Sequence, residues 1–229
     1  MKENVVFNWS GGKDSSLALY YLLQDERFSI LRLLTSVSKD FQRVSMHGVR
    51  VSLLEKQAES LGILLQKIEI PEGVSMEAYD EIMGDALQEI QQLGCTSAAF
   101  GDIFLEDLKQ YRENRLAKLQ MKGIFPLWKR DTREIVHEFI QLGFKSVVTC
   151  VNEKYLDSSF VGRTIDASFL ADLPPNVDPC GENGEYHSFV FDGPIFKQEI
   201  SYQLGEKIHR TYQTKEEEFG FWFCDLLDA

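Results

Sequence analysis

Several features are missing from this sequence of 229 residues, and each absence excludes a class of protein. No apolar run approaches the roughly 20 residues that a membrane-spanning helix needs, so no membrane association is expected. Residues 1–4 are polar and lead straight into an apolar segment, which does not predict a secretory signal peptide. The four cysteines are far apart and form no C-x-x-C pair, so neither a zinc ribbon nor a thioredoxin-like site is indicated. Free thiols are typical of a reducing compartment, so the expected location is cytoplasmic.

Basic residues are scarce as well. Lys and Arg number 24 against 36 Asp and Glu, which gives a formal net charge of −12. A protein that binds the phosphates of a nucleic acid needs a basic stripe or patch, and no Lys/Arg cluster of that kind occurs. Nucleic acid is therefore not an expected partner. The remaining composition, 44% hydrophobic and 26% charged, is that of an ordinary globular protein with a buried core.

The most informative stretch is a glycine loop between a strand and a helix. Residues 5–7 are apolar and β-prone, and residues 17–23 are apolar over a length that fits a buried helix. The two glycines between them let the backbone approach a ligand, and the first N–H groups of the helix favour an anion. Serine hydroxyls and a lysine add further donors. The predicted phosphate-binding residues are Ser10, Gly11, Gly12, Lys13, Asp14 and Ser15.

Two common phosphate-binding motifs can be excluded by reading the loop. A Walker loop, G-x-x-x-x-G-K-S/T, would need Gly at Phe7 and Ser or Thr at Asp14. The dinucleotide fingerprint G-x-G-x-x-G is absent too. The alternative without any ligand is a tight turn and a capped helix.

The order of apolar segments predicts an α/β fold. Over residues 1–127, strands alternate with amphipathic helices, which predicts a Rossmann-like parallel sheet with helices on both faces. The further strands are predicted at 29–37, 63–70, 97–100 and 123–128, and the further helices at 50–61, 76–93 and 105–122. Residues 128–229 are predicted to form a smaller α+β domain. Its helices are predicted at 131–142 and 166–173, and its strands at 145–151, 189–191, 199–204 and 219–227.

Ligands of such sheets bind beyond the carboxyl ends of the strands. Ser36, His47, Gly48, Gly101 and Asp102 follow predicted strands and are expected to contact the nucleotide. His47 can also act as an acid or base, or can simply be satisfied by backbone at a helix start. Asp102 is the predicted Mg²⁺ ligand, the alternative being an acidic helix start that favours the dipole.

A second polar loop lies in the smaller domain at residues 178–187. It is punctuated by glycines and carries Glu182, Glu185 and His187, which together with Lys13 are the predicted catalytic residues. Two carboxylates beside a phosphate loop can hold a cationic substrate, deprotonate ammonia or bind a metal. The alternative is a surface turn between strands, and the spacing does not fit a tight zinc site.

Several of these stretches together resemble one family. They are S-G-G-K-D-S at 10–15, M-H-G at 46–48, G-D-I at 101–103, F-P-L-W at 125–128, G-R at 162–163 and residues 178–187 followed by F-V-F-D-G-P. The pattern resembles the diphthine–ammonia ligases, a branch of the PP-loop or N-type ATP pyrophosphatase superfamily, over nearly the whole chain. Asn183 and His187 depart from the archaeal and eukaryotic form of the acidic loop, which is typical of a bacterial branch.

The resemblance implies an ATP-dependent, AMP-forming amidation with Mg²⁺. ATP adenylates a carboxylate, that of diphthine, another protein side chain or a small metabolite, and ammonia then displaces AMP. Lys13 and the loop N–H groups would stabilise the departing pyrophosphate. No glutaminase-like domain is recognisable, so ammonia would come free or from a partner, and a homodimer stays open. Two alternatives remain: a tRNA-modifying PP-loop enzyme, which usually needs paired cysteines and a basic face, and a nucleotide sensor without chemistry.

Overall fold

The first half of the chain is a parallel sheet enclosed by helices. The computed structural model describes residues 2–44, 48–213 and 218–229. The strands of this half are β1 (Glu3–Asn8), β2 (Phe28–Ser38), β3 (Arg43–Val44), β4 (Leu65–Ile70), β5 (Ser97–Ala99) and β6 (Lys122–Ile124). Its helices are α1 (Lys13–Gln24), α2 (Val51–Leu61), α3 (Met76–Gln92) and α4 (Glu106–Lys118). The parallel strands lie in the order β4-β2-β1-β5-β6, and β3 pairs antiparallel with the end of β2.

Helices cover both faces of this sheet, as predicted. Successive side chains of a strand point to opposite faces. Val5 and Phe7 of β1 accordingly pack in one buried cluster with α1 and α2, while Val6 packs in a second cluster with α3 and α4. The central strand is therefore buried on both sides, which explains its continuous apolar run.

The second half carries a separate antiparallel sheet, which confirms the predicted α+β character. Its elements are α5 (Thr132–Gln141), β7 (Lys145–Asn152), α6 (Ala167–Asp172), β8 (Tyr186–Asp192), β9 (Tyr202–Gln213) and β10 (Glu218–Asp228). The strand order is β8-β7-β10-β9, with every pair antiparallel. The two sheets fall on either side of the predicted boundary at 127/128. The domain limits themselves stay a prediction.

Most element ends follow local signals. Gly62 ends α2 with φ +72°, and the Asp131 side chain caps α5 by accepting from the Arg133 and Glu134 N–H groups at 2.9 and 3.1 Å. The predicted helix to residue 122 was wrong: α4 stops at Lys118, and a left-handed residue follows at 120 before β6 begins. The strand predicted at 199–204 was also misplaced, because β9 runs over 202–213. Within the described residues, no helix has the length and apolar character that crossing a bilayer would require.

The two halves share one buried core, and this brings their polar loops together. A single cluster of buried side chains includes Phe7 and Leu17 from the first half and Phe189 and Val190 from the second. The Val190 N–H also donates to the Gly11 carbonyl at 2.9 Å. This hydrogen bond joins β8 to the glycine loop. The loop at 178–187, which leads into β8, therefore lies beside the start of α1.

Candidate active site

A buried glutamine of α2 holds the glycine loop from beneath. Gln57 is fully buried, and its Nε2 donates to the carbonyls of Gly11 at 3.0 Å and Val190 at 2.6 Å. Its Oε1 accepts from the indole N–H of Trp9 at 3.0 Å. Gly11 has φ +76°, and a Cβ there would lie 2.6 Å from Gln57 Oε1, so this position requires glycine. The loop is therefore rigidly preformed.

Helix α1 begins directly at the loop without a side-chain cap. Gly12 is its cap residue, and the Lys13 N–H donates to Ser188 Oγ of β8 at 3.2 Å. The first N–H groups of a helix have no acceptor within the helix, so this end suits an anion. Gly101, after β5, lies against the same turn: a Cβ there would come within 2.9 Å of the Ser15 nitrogen.

Lys13 and Asp14 form a buried ion pair at this helix start. The Lys13 side chain is 2% exposed, and its Nζ lies 2.7 Å from both carboxylate oxygens of Asp14. Nζ also donates to the Cys180 carbonyl. Burial disfavours the charge of Lys13, but Asp14 outweighs it, so the pKa of Lys13 is raised. Burial also raises the pKa of Asp14, with Lys13 acting in the opposite direction. Lys13 thus stays charged, with much of its charge already balanced.

The loop at 178–187 is organised around Glu185. This side chain is 1% exposed. Its Oε1 accepts from the Asp178 N–H at 3.0 Å and from Asn183 Nδ2 at 3.1 Å, and its Oε2 accepts from the Asn183 N–H at 2.9 Å. Both carboxylate oxygens are thus occupied by donors of the loop itself, an arrangement that favours holding the loop in shape.

Glu182 is the acid of this loop that lies beside the glycine loop and the start of α1. Its Oε1 accepts from the Ile103 N–H at 2.9 Å, which ties the two halves together. Burial raises the pKa of Glu182 to about 7, and the nearby carboxylates of Asp14 and Asp102 act in the same direction. A carboxyl group with this pKa can accept or release a proton near neutral pH.

Asp102 is paired with an arginine of α4. Its Oδ2 lies 2.8 Å from Arg112 Nε, and Arg112 donates to Oδ1 from its terminal nitrogen at 3.2 Å. The same guanidinium stacks 4.4 Å from the centre of the Phe100 ring. Burial raises the pKa of Asp102, and the Arg112 charge offsets part of this rise.

Several of these groups line one cavity of about 880 Å³, a size within the range of small-molecule and cofactor sites. Ten of the predicted site residues line it: Ser10, Gly12, Lys13, Asp14, Ser15, Ser36, Gly101, Asp102, Glu182 and His187. Its apolar lining includes Tyr79, Phe100, Leu105 and Leu108, which come from α3, α4 and the loop after β5. Arg112 of α4 also lines the cavity, with its guanidinium over the Phe100 ring.

Three predicted residues within the described part of the chain do not line this cavity. The Gly11 carbonyl is engaged by Gln57, and Glu185 is buried in its own loop. Gly48 lines a second cavity, between β3 and the β9–β10 hairpin. His47 lies outside the described residues, so its predicted role is neither supported nor opposed.

Comparison with known proteins decides the family. A sequence model of the diphthamide synthase N-terminal domain matches residues 1–123, and one of the diphthamide synthase C-terminal domain matches residues 131–219. The chain belongs to the diphthamide synthase family. It is 27% identical over 225 residues to the diphthine–ammonia ligase of Danio rerio, covering 87% of this chain and 86% of that protein. It is 26% identical over 185 residues to the diphthine–ammonia ligase of Homo sapiens, covering 73% of this chain and 67% of that protein.

Membership of the diphthamide synthase family makes this chain an enzyme, an ATP-dependent amide ligase similar to these relatives. These comparisons confirm the family resemblance inferred from the motifs. The structure confirms the α/β fold with a smaller α+β part.

Three residues that contact this site were not identified from the sequence: Gln57, Arg112 and Ser188. Gln57 and Arg112 are polar residues of amphipathic helices, where such residues usually face water. Their inward orientation is evident only from the structure. Gln57 binds Gly11, 46 residues away in the sequence, and Arg112 binds Asp102, 10 residues away. Ser188 could have been suspected, because it directly follows the acidic loop and lies near the start of β8.

The described residues offer no ready-made metal site. No group of three or more His, Cys, Asp or Glu side chains among them could hold a metal ion. Asp102, the predicted Mg²⁺ ligand, is already paired with Arg112 at 2.8 Å. These residues therefore do not fit a resident metal ion, and the role of Asp102 towards Mg²⁺ stays a prediction.

Proposed function

We propose that this chain adenylates a carboxylate with ATP and converts it to an amide with ammonia, releasing AMP and pyrophosphate. The relatives are named for the acceptor diphthine, and for this chain the acceptor is proposed as a carboxylate of a protein side chain or of a small metabolite. The chain carries four unpaired, buried cysteines, so the proposed setting is the cytoplasm.

The observation that carries the proposal is the position of Glu182 across from the start of α1. The Ile103 N–H donates to its carboxylate at 2.9 Å, and the Lys13 ammonium donates to the carbonyl of Cys180, two residues earlier in the same loop. An acid with a pKa near 7 therefore lies in the cavity that holds the helix N-terminus. A site for simple nucleotide sensing has no need of a titrating acid held in this way.

The proposed reaction has two steps. A carboxylate oxygen of the acceptor attacks the α-phosphorus of ATP, the bond to the β-phosphate breaks, and pyrophosphate leaves with its electron pair. Ammonia then attacks the acyl carbon, AMP leaves, and the attacking nitrogen loses one proton to give the neutral amide. The N–H groups at the start of α1 are proposed to stabilise the charge that develops on the leaving pyrophosphate.

Glu182 is the proposed general base of the second step. Ammonia is mostly protonated at neutral pH, and its adduct with the acyl carbon carries a proton that must be removed. A base with a pKa near the working pH accepts that proton most effectively. General bases of this kind contribute about 10²- to 10⁴-fold to a rate.

The remaining ligand contacts are proposed from the lining of the cavity. We propose that the triphosphate lies at the start of α1 and the adenine against the apolar side chains near Phe100. Mg²⁺ is expected to enter with the triphosphate and to be held mainly by its phosphate oxygens, where it supplies charge neutralisation.

Product analysis tests the proposal. The protein is incubated with ATP, Mg²⁺, ammonium and fractions of a metabolite or protein extract, and the nucleotides are separated by chromatography. AMP and pyrophosphate that increase with one fraction and require ammonium support the ligase. Formation of ADP, or tight ATP binding without turnover in any fraction, would refute it and favour the sensor.

Nucleotide binding is tested separately by calorimetry on loop variants. Asp14→Asn removes the charge that holds Lys13, and Ser15→Ala removes a hydroxyl that donates to the Gly12 carbonyl at 2.9 Å. Both should weaken ATP binding more than tenfold, whereas the exposed Asp107→Asn should leave it unchanged. Unchanged affinity in both loop variants would remove the assignment of the phosphate loop.

A further inference from the structure

A second cavity, of about 460 Å³, lies between the end of β2 with β3 and the β9–β10 hairpin. Its size suits a small molecule rather than a nucleotide. Its wall is mainly aromatic, with contributions from both halves of the chain: Phe41, Tyr212, Phe219, Phe221 and Phe223. None of the roles proposed above in ATP binding or catalysis explains this second set of side chains.

Part of this aromatic wall is exposed to solvent. Phe41, Tyr212 and Ile208 are 55%, 44% and 39% exposed, and all three line this one cavity. Single exposed apolar residues are ordinary, but a contiguous group with a polar rim is typical of a binding site. Covering such surface is favourable in proportion to the apolar area removed from water.

Among the described residues that line the cavity, arginines outnumber carboxylates, so its rim carries a surplus of positive charge. Arg43 and Arg50 both bind Asp225, at 2.7 and 2.6 Å, so that carboxylate is already neutralised twice over. Arg210 is exposed on β9 and lies 6.0 Å from the ring centre of Phe223. In a chain with net charge −12, a local surplus of arginine favours an anion with an apolar body.

The cavity also adjoins the nucleotide site, because His187 lines both cavities. This is the arrangement that transfer from ATP to a separate acceptor demands, because the acceptor must meet the α-phosphorus while its body stays outside the phosphate site.

We propose that this cavity binds the acceptor, and that the acceptor is a small carboxylate with an aromatic or branched hydrocarbon body. The proposal rests on the proposed function for the fate of the carboxylate, but binding itself can be measured without turnover. The proposed ligand is an anion, because a cationic ligand of the same size would face Arg43 and Arg210, and the described lining residues offer no free carboxylate to offset them.

The test uses three probes of one shape. Calorimetry measures binding of 3-phenylpropanoate, of the neutral 3-phenylpropanamide and of the cationic 2-phenylethyl-trimethylammonium to the full chain. We expect the carboxylate to bind more tightly than the amide by about fivefold or more, since hydrogen bonds to charged groups are the stronger ones. Equal or tighter binding of the amide or of the cation would overturn the proposal.

Matched variants on one strand locate the site. Arg210→Gln should weaken 3-phenylpropanoate binding about tenfold, as expected for loss of a charge-assisted contact. Lys207→Gln removes the same charge from the opposite face of β9, where Lys207 donates to the Ser158 carbonyl, and should have no effect. Ile208→Asp, at an exposed position, should also weaken binding. Equal effects of the Arg210 and Lys207 changes would overturn the assignment.

Two further readouts separate the alternatives. If the patch instead joins two copies of the chain, the probes will not bind and Ile208→Asp will lower the sedimentation coefficient, which overturns the proposal. If an extract acceptor drives AMP formation with the same KM in wild type and Arg210→Gln, the ligase function holds and this cavity assignment fails. If 3-phenylpropanoate binds through Arg210 and no acceptor yields AMP, the cavity stands and the proposed function fails.

Discussion

Replacing Glu182 with glutamine should separate the chemistry of the 178–187 loop from its position. Glutamine keeps an oxygen that can accept from the Ile103 N–H, now at 2.9 Å, so the link between the halves survives. It cannot take up a proton. We therefore expect ATP binding within about threefold of wild type and a turnover lower by about 10²- to 10⁴-fold, the usual contribution of a general base.

The pKa of Glu182 gives the same variant a signature in pH. Because burial raises this pKa to about 7, wild-type kcat/KM for ATP, measured at a constant concentration of unprotonated ammonia, should rise with pH and level off above about 7, as the base loses its proton. The residual activity of Glu182→Gln should lack that limb. Glu106→Gln, at a 65% exposed carboxylate, is the matched control and should keep both rate and profile.

Stability supplies an independent magnitude. A pKa near 7 against the ordinary 4.5 means that folding disfavours the charged form of Glu182 by about 3 kcal/mol, at 1.36 kcal/mol per unit. Below pH 4.5 both states are protonated, and between 4.5 and 7 the folded state binds more protons, so stability falls as pH rises. Urea unfolding should find Glu182→Gln more stable than wild type by up to about 2–3 kcal/mol at pH 8, with the difference vanishing near pH 4.5. A variant with normal turnover, an unchanged pH limb and no gain at pH 8 would refute the assignment of Glu182.

Three other variants test the walls of the site. Gly101→Ala should abolish ATP binding, because its Cβ would lie 2.9 Å from the Ser15 nitrogen, while Gly84→Ala, which meets nothing within 4 Å, should be neutral in a calorimetric titration. Gln57→Leu should cost about 2–4 kcal/mol in urea unfolding and weaken ATP binding, since it leaves buried polar groups of the loop unpaired. Glu185→Gln should lower turnover by loosening its loop yet keep the pH limb near 7, and loss of that limb would make Glu185 the base instead.

The glycine loop and the helix start that follows it could be predicted from sequence because their determinants are local, while the binding of phosphate there stays a prediction. A strand, two glycines and a helix within twenty residues fix where the N–H groups point, whatever the rest of the chain does. The choice between Glu182 and Glu185 could not be made in the same way. Gly181 and Gly184 have φ of +71° and +84°, so side chains in this turn follow no strand or helix period. Which acid faces the cavity depends on the Ile103 contact, 79 residues away in sequence.

Strand β9 could not be located from the alternation of apolar and polar residues. Most of its residues are exposed, so apolar and polar positions do not alternate as they do on a half-buried strand. Sequence reasoning therefore placed a short strand at 199–204 and missed the surface that carries Ile208 and Arg210. Solvent exposure removes the sequence pattern that would have identified β9, and it also leaves this face of the strand accessible to a ligand.

The charge balance of the nucleotide cavity leads to a last prediction. Among the described residues of the cavity wall, Lys13 and Arg112 are the lysine and the arginine, and each is paired with a carboxylate within 2.8 Å. With Glu182 beside them, the wall offers little net positive charge to a triphosphate. Binding must then depend on the N–H groups of α1 and on Mg²⁺ brought with ATP.

Salt screens exposed charges but hardly affects buried N–H groups, so raising the ionic strength tenfold should weaken Mg–ATP binding by less than about threefold. Removal of Mg²⁺ by a chelator should weaken it by more than about tenfold, since the phosphates would then face these carboxylates uncompensated. The opposite pattern in calorimetry, strong salt dependence without a need for Mg²⁺, would mean that Lys13 and Arg112 leave their partners to bind the phosphates.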